Sequence, residues 1–177
     1  GGNDKVARRV EKMQLKDQPF NLPTAFRDGA DIAAREGMAM GAYYAGLAIN
    51  QVNVGNVHAI AHQLGGKYGI PHGLANALVL PHVLEFCHQE ARQRLAELAV
   101  LIGLGEAGED HGQLAHRFIK AVRDLRTEVG IPDHSDLIKR EDYDYLTDLA
   151  VAEGASYPVP RLLDRASVFA ILTHITN

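Results

Sequence analysis

Three histidines are the residues in this sequence whose type and spacing could do chemistry. His58 and His62 are four positions apart in VHAIAHQ, and His72 follows after a connection broken by glycines. Side chains at i and i+4 lie on one face of a helix, and two antiparallel helices joined by a short turn can bring His58 near His72. Neutral imidazole is a good ligand for zinc or ferrous iron. The spacing therefore predicts a metal site, but it does not decide which rings would bind the ion.

The surroundings of these histidines carry almost no formal charge. Lys67 is the only Asp, Glu, Lys or Arg between residues 37 and 84. A low-charge, partly dry setting strengthens each bond between metal and ligand and keeps competing water out. The alternative is that the histidines are core or interface residues bonded to backbone carbonyls. Three of them at this spacing in so neutral a run favour the metal site.

Other chemical motifs do not fit the sequence. HAIAH has the spacing of the metalloprotease motif, but Ala59 stands where the general base would be a glutamate. There is no Walker loop, and GNVHAIAHQLGG is not a dinucleotide fingerprint because no strand precedes it. Cys87 has no second thiol and is expected in the core. The Arg and Lys residues between 117 and 126 are expected on a solvated helix face.

The remaining histidines are interpreted as structural or surface residues. His82 stands beside Pro81 and could face the same cleft, although core packing is favoured. Five others lie in charged or loop contexts and are expected at the surface: His88, His111, His116, His134 and His174.

Helical periodicity dominates the chain and predicts the elements that position the histidines. Val6, Val10 and Met13 suggest an amphipathic first helix. The Ala-, Gly- and Met-rich segment from Gly37 to Ile49 is neutral all round, which is typical of a helix at the centre of a bundle. Alternating β-branched strands are nearly absent. The prediction is an all-α multi-helix bundle of seven to nine helices, forming a single domain over residues 1–177.

Helix ends follow from capping and breaking residues. Asp31 can cap the long neutral helix. A helix over 56–66 should stop at Gly65, Gly66 and Gly69, and the next, over 72–88, should kink at Pro81. Residues 141–153 and 164–175 predict two further short helices.

Bulk properties limit the partners. The chain has 177 residues, a net charge of −4 and no long basic run, so nucleic acid is not expected. The longest apolar run, AYYAGLAI, is too short to span a bilayer, and the polar N-terminus does not look like a signal peptide. A single cysteine fits a reducing compartment, so a cytoplasmic protein is expected.

A long segment resembles a known family. GLAINQVNVGNVHAIAHQLGGKYGIPHGLANALVLPHVLEF is similar to the signature region of the iron-containing alcohol dehydrogenases, which include lactaldehyde reductases and butanol dehydrogenases. The flanking NLPTAFRDGADIAAREGMAMGAYYAGLA and YPVPRLLD also resemble that family. The implied fold is its helical C-terminal domain, which is dehydroquinate synthase-like.

The resemblance implies specific roles for the three histidines. Family enzymes hold a divalent metal in the helical domain and NAD(P) in an N-terminal α/β domain. The metal binds an Asp, a His a few residues later, and two further His, which correspond to His58 and His72. His62 matches a histidine near the nicotinamide and substrate, where it could relay a proton. Fe²⁺ is implied in preference to Zn²⁺, and an alcohol or aldehyde as substrate.

The sequence also departs from the family pattern. The first two metal ligands form an Asp-x3-His segment, and neither Asp4 nor Asp17 is followed by a His at that offset. The NAD(P)-binding domain is not recognisable either. The expectation is a C-terminal half that is inactive alone and forms a homo-oligomer. The alternative is a non-catalytic helical module, derived from the family, that serves oligomerisation or binding.

Overall fold

The computed structural model describes residues 21–177. Within this part of the chain the fold is all-α, as predicted, and β pairing is limited to one isolated parallel bridge between Ser135 and Thr176. The predicted helix on Val6, Val10 and Met13 lies outside the described residues. The eight α-helices of residues 21–177 are α1 (Asn21–Arg27), α2 (Ile32–Val52), α3 (Asn56–Tyr68), α4 (His72–Phe86), α5 (Arg92–Leu101), α6 (His111–Glu128), α7 (Tyr143–Gly154) and α8 (Arg165–Ile175), with a 3-10 turn at Arg140–Asp142.

Local capping explains the helix ends around the histidines. Asp31 caps α2 as predicted, because its side chain accepts a hydrogen bond of 2.9 Å from the Ala34 amide. The prediction that Gly65 and Gly66 stop α3 was wrong, since the helix runs through both to Tyr68. Glycine weakens a helix interior by about 1 kcal/mol, which packing can offset. The helix ends at Gly69, whose φ of 67° lies in the left-handed region that favours glycine.

The later helices agree closely with their predicted positions. Helix α4 continues through Pro81, which is buried, and ends at Phe86 rather than at residue 88. Helices α7 and α8 match the segments predicted at 141–153 and 164–175 to within two residues. Asp164 and Ser167 form a reciprocal capping box that begins α8.

The described helices group into two compact units. One comprises residues 21–53 and 93–118, and the other residues 54–92 and 119–177. In the second unit α3 packs against α4 and α7, and α8 packs against the same two helices, so these four enclose a common core. That core includes Ile60, Leu64, Val79, Leu146, Val168, Ile171 and Leu172. The prediction of a single domain over residues 1–177 stays a prediction.

Helix α2 does not lie at the centre of a bundle, which corrects the expectation from its neutral sequence. Ala34 is its only buried residue, whereas Tyr43 is 60% and Leu47 45% exposed. Helix α1 packs along α2, but its seven residues cannot cover a helix of 21 residues. A helix with an uncharged surface can be buried, but its composition does not determine whether another helix covers it.

Over residues 21–177, no helix is both long and apolar enough to cross a membrane.

Candidate metal centre

Three imidazole rings converge at the junction of α3 and α4. The ring centroids of His58 and His72 are 5.2 Å apart, those of His62 and His72 5.5 Å, and those of His58 and His62 5.6 Å. Helix α3 presents His58 and His62 one turn apart, and His72 is the first residue of α4. The structure therefore brings together all three histidines singled out by the sequence.

The turn between α3 and α4 explains this convergence. Gly69 reverses the chain in the left-handed conformation, and Ile70, which is 3% exposed, anchors the turn in the core. Pro71, with φ −53° and ψ 134°, then leads directly into α4. Because α3 buries Ile60 and Leu64 on its core side, its histidine face is left for the site.

The separation of His58 and His72 fits two ligands of one ion. An imidazole nitrogen lies about 2.1 Å from zinc, so two ring centroids on a tetrahedral ion are roughly 5 Å apart. The 5.2 Å between His58 and His72 agrees with that spacing. Their neutral nitrogen donors also suit ferrous iron.

A complete ligand set is not found in the described part of the chain. Within residues 21–177, no group of three or more His, Cys, Asp or Glu side chains is arranged to hold one ion. His58 and His72 therefore make only part of a ligand set, since catalytic zinc centres usually have three protein ligands and an open position.

Electrostatics keep His58 in the form that can bind a metal. Burial, together with repulsion from His72 and His62, lowers the pKa of His58 below its usual value, although Glu153 opposes this shift. The ring is therefore neutral at pH 7 and keeps a lone pair. The surroundings are wetter than the expected dry pocket: His58 is half-buried, but His62 and His72 are exposed.

Glu153, near the end of α7, contacts His62. Glu153 Oε1 lies 2.6 Å from His62 Nδ1 and accepts a 2.6 Å hydrogen bond from the Tyr157 hydroxyl, while Oε2 accepts one of 2.7 Å from Gln63. Burial raises the pKa of Glu153, but the hydrogen bonds from Tyr157, His62 and Gln63 outweigh it and lower that pKa. Its hydrogen bond to Glu153 raises the pKa of Tyr157 to about 12, so the phenol stays a donor.

Asn76 engages the third ring. Its amide nitrogen donates to the His72 carbonyl oxygen over 2.8 Å and lies 3.0 Å from His72 Nε2. The amide oxygen of Asn76 is buried and has no hydrogen-bond partner. Because the donor end of the amide faces His72, Nε2 accepts its second N–H.

Asn76 and Glu153 contact the histidines but lie outside the motif. The sequence spacing could predict the contact of Asn76 but not that of Glu153. Asn76 is four positions after His72 on one helix, a spacing that places the two side by side. Glu153 is separated from His62 by 91 positions, and no local pattern connects them. Only the packing of α7 on α3 brings Glu153 to the site.

The other histidines stay outside this centre. His82 stacks on His174, with ring centroids 5.3 Å apart and planes at 5°. As predicted, His111, His116, His134 and His174 are exposed, whereas His88 is half-buried.

Two further predictions concern Cys87 and the basic residues of α6. Cys87 is a core residue, as predicted, and burial raises its pKa. Asn56 donates to the Arg161 carbonyl over 2.8 Å and contacts Cys87 Sγ at 3.6 Å, so it ties the start of α3 to the loop before α8. The prediction that the Arg and Lys residues between 117 and 126 are solvated is wrong for Arg126, whose side chain is 10% exposed.

Comparison with known proteins extends these observations. The C-terminal model of the Fe-containing alcohol dehydrogenase family matches residues 13–176. The chain is 39% identical to 1,3-propanediol dehydrogenase of Klebsiella pneumoniae over 153 residues, which are 85% of this chain and 40% of that protein. It is 35% identical to lactaldehyde reductase of Escherichia coli K12, covering 74% of this chain and 35% of that protein.

Solved structures agree with the sequence matches. A crystal structure of 1,3-propanediol oxidoreductase superimposes with a TM-score of 0.82 at 38% identity, over 86% of this chain and 41% of that one. The alcohol dehydrogenase from Oenococcus oeni gives 0.81 at 36% identity, over 88% and 41%. The chain thus spans about two fifths of the length of these relatives. It belongs to the Fe-containing alcohol dehydrogenase family, to whose C-terminal helical part it corresponds.

Proposed function

We propose that this chain is the metal-binding helical part of an NAD(P)-linked alcohol dehydrogenase or aldehyde reductase. His58 and His72 supply two ligands for a divalent cation, and His62 relays a proton to or from the substrate oxygen. The observation that carries this proposal is the convergence of the three rings, within 5.2 to 5.6 Å of one another, from two helices. The cytoplasm is proposed as its compartment, and a small alcohol or aldehyde as its substrate.

The proposed chemistry divides between the metal and the protein. A divalent ion held by His58 and His72 would supply Lewis-acid polarisation of the substrate oxygen, and NAD(P) would supply the hydride chemistry. His58, neutral because of its lowered pKa, offers a lone pair without first losing a proton. His62 is exposed and lies beside both proposed ligands, where it can exchange a proton with substrate and solvent.

Metal binding by single-residue variants tests the proposed ligands. We expect one weak Zn²⁺ site per chain by isothermal titration calorimetry, lost in both His58→Ala and His72→Ala. His134→Ala removes an exposed histidine outside the centre and should bind as the unaltered chain does. Binding that survives in His58→Ala and His72→Ala would contradict the assignment.

The preference for Fe²⁺ over Zn²⁺ needs a different measurement. Intrinsic affinity for nitrogen ligands favours zinc, so the metal held in the cell depends on geometry and supply. We expect iron in elemental analysis of the protein purified anaerobically from its natural source. Zinc in equal or greater amount would contradict the iron proposal.

We further propose that the 177 residues assayed by themselves have no dehydrogenase activity. Two histidines make an incomplete ligand set, and the described residues contain no sheet to hold a dinucleotide. The test is NAD(P)H oxidation with short aldehydes in the presence of Fe²⁺ or Zn²⁺. Metal-dependent turnover that disappears in His58→Ala would contradict this part of the proposal.

A second candidate is a non-catalytic helical module that forms a homo-oligomer. The exposed apolar side chains of α2 favour it, since Tyr43, Leu47, Ile49 and Val52 are each at least 43% exposed. Light scattering during gel filtration should show a dimer or larger species that Leu47→Glu dissociates. A monomeric chain that binds metal would support the dehydrogenase part instead.

A further inference from the structure

We infer that Glu153 is a positioning residue that fixes the tautomer of His62, so that Nδ1 carries the proton and Nε2 keeps its lone pair. This inference rests on the proposed function only for the use made of that lone pair. The contact itself requires no metal or cofactor: Glu153 Oε1 on α7 lies 2.6 Å from His62 Nδ1 on α3.

The direction of the hydrogen bond follows from the donor and acceptor types. An ionised carboxylate can only accept, so the imidazole nitrogen that faces it must donate. In a neutral ring the other nitrogen is then unprotonated. The carboxylate therefore selects one of the two tautomers, which differ in the nitrogen that can take up a proton.

Two neighbours hold the carboxylate itself in place. The Tyr157 hydroxyl donates to the same oxygen that contacts His62, and Gln63 donates to the other oxygen. Gln63 also donates to the Ala59 carbonyl over 3.0 Å, which fixes its amide against α3. Both oxygens of Glu153 are thus engaged, and its side chain is 28% exposed. A carboxylate held this way orients the ring better than a freely rotating surface glutamate.

In this arrangement His62 is the proposed base, and Glu153 is the residue that orients its ring. His62 contacts Glu153 through Nδ1, and its ring centroid lies 5.6 Å from that of His58 and 5.5 Å from that of His72. With Nδ1 committed to Glu153, Nε2 is the nitrogen that accepts a proton from a substrate hydroxyl in the alcohol-oxidising direction. In the reverse direction the same nitrogen returns the proton.

Nuclear magnetic resonance of the metal-free chain, with ¹⁵N-labelled histidine and a chelator present, tests the inference. Long-range ¹H–¹⁵N correlation spectra, recorded well above the ordinary histidine pKa, distinguish a protonated ring nitrogen from an unprotonated one. Loss of one signal set in His62→Gln assigns His62. We expect a protonated Nδ1 and an unprotonated Nε2 in the unaltered chain. In Glu153→Met, which keeps the bulk but removes the acceptor, the two shifts should move toward each other.

Two control variants separate the carboxylate from its surroundings. Tyr157→Phe removes a donor to Glu153 but leaves the carboxylate, and His62 should keep its tautomer. Glu97→Met removes a surface carboxylate that pairs with Arg94, and should change nothing at His62. Circular dichroism checks that each variant is folded.

The possible results either support or overturn the inference. A protonated Nε2 in the unaltered chain would overturn it, whether or not Glu153→Met folds. Unchanged His62 shifts in a folded Glu153→Met would do the same, as would loss of the tautomer in Tyr157→Phe. No metal, cofactor or substrate is present, so failure here would leave the ligand roles of His58 and His72 untouched. Failure of those roles would likewise not alter this result.

Discussion

The amide nitrogen of Asn76 bridges the carbonyl oxygen and the Nε2 atom of His72, at 2.8 Å and 3.0 Å. It therefore occupies the lone pair that a metal bound at Nε2 would need. The same contact holds the ring against its own helix, one turn from the start of α4. Asn76 thus both orders His72 and competes with a metal for it.

Asn76→Ala should strengthen metal binding by this chain. A hydrogen bond of this kind contributes about 0.5 to 1.5 kcal/mol, so its removal should raise the affinity for Zn²⁺ roughly 2- to 10-fold. Calorimetric titration measures the change. Asn50→Ala, on the exposed surface of α2, is the matched control and should have no effect. Weaker binding in Asn76→Ala would mean that ordering of the ring outweighs competition.

The sequence predicts the three-histidine cluster well because every part of it is local. His58 and His62 are one helical turn apart, and a short glycine- and proline-containing turn returns the chain to His72. Glu153 depends on how α7 packs on α3, which periodicity does not specify. The exposure of α2 was wrongly predicted for a related reason. Its composition allows burial, but whether a partner covers it is a tertiary property.

His82 should make the folded chain sensitive to acid. Burial, with repulsion from His174, Arg126 and Arg123, lowers the pKa of His82 from 6.5 to about 4, although Asp133 opposes this. Between these values the unfolded chain binds a proton that the folded chain does not. This contribution to stability is complete above pH 6.5 and is lost as the pH falls toward 4, by roughly 1 to 2 kcal/mol once solvent screening of this half-buried ring is allowed for.

His82→Phe keeps a ring against His174 but cannot titrate, so it isolates this effect. Free energies of unfolding, measured by urea denaturation at several pH values, should fall less steeply with acid in this variant. His111→Phe changes an exposed histidine and should retain the slope of the unaltered chain between pH 6.5 and 4. Parallel curves for His82→Phe and the unaltered chain would refute the assignment.

Leu64→Ala should destabilise the fold, because this side chain is fully buried between α3 and its neighbours. Truncation of a buried leucine costs about 2 to 5 kcal/mol through lost transfer free energy and the cavity left behind. Leu149→Ala, at a position 39% exposed on α7, should change the unfolding free energy by less than about 0.5 kcal/mol. Chemical denaturation measures both. Equal effects would show that the core described for α3 is not formed in solution.

Gly66 and Gly69 should respond oppositely to the same substitution. An added Cβ meets nothing within 4 Å at either position, so backbone conformation alone decides the outcome. Gly66 lies inside α3, where alanine is favoured over glycine by about 0.8 to 1 kcal/mol, and Gly66→Ala should stabilise the chain. Gly69 has a φ of 67°, where an L side chain costs about 1 to 2 kcal/mol, and Gly69→Ala should destabilise it.

Thermal and urea denaturation of the two variants should therefore move in opposite directions from the unaltered chain. Gly69 also sets the turn that delivers His72, so Gly69→Ala should weaken Zn²⁺ binding as well as stability, whereas Gly66→Ala should leave Zn²⁺ binding unchanged. Stabilisation by Gly69→Ala would show that α3 does not end in the left-handed conformation. The geometric basis for bringing His72 back toward His58 would then be wrong.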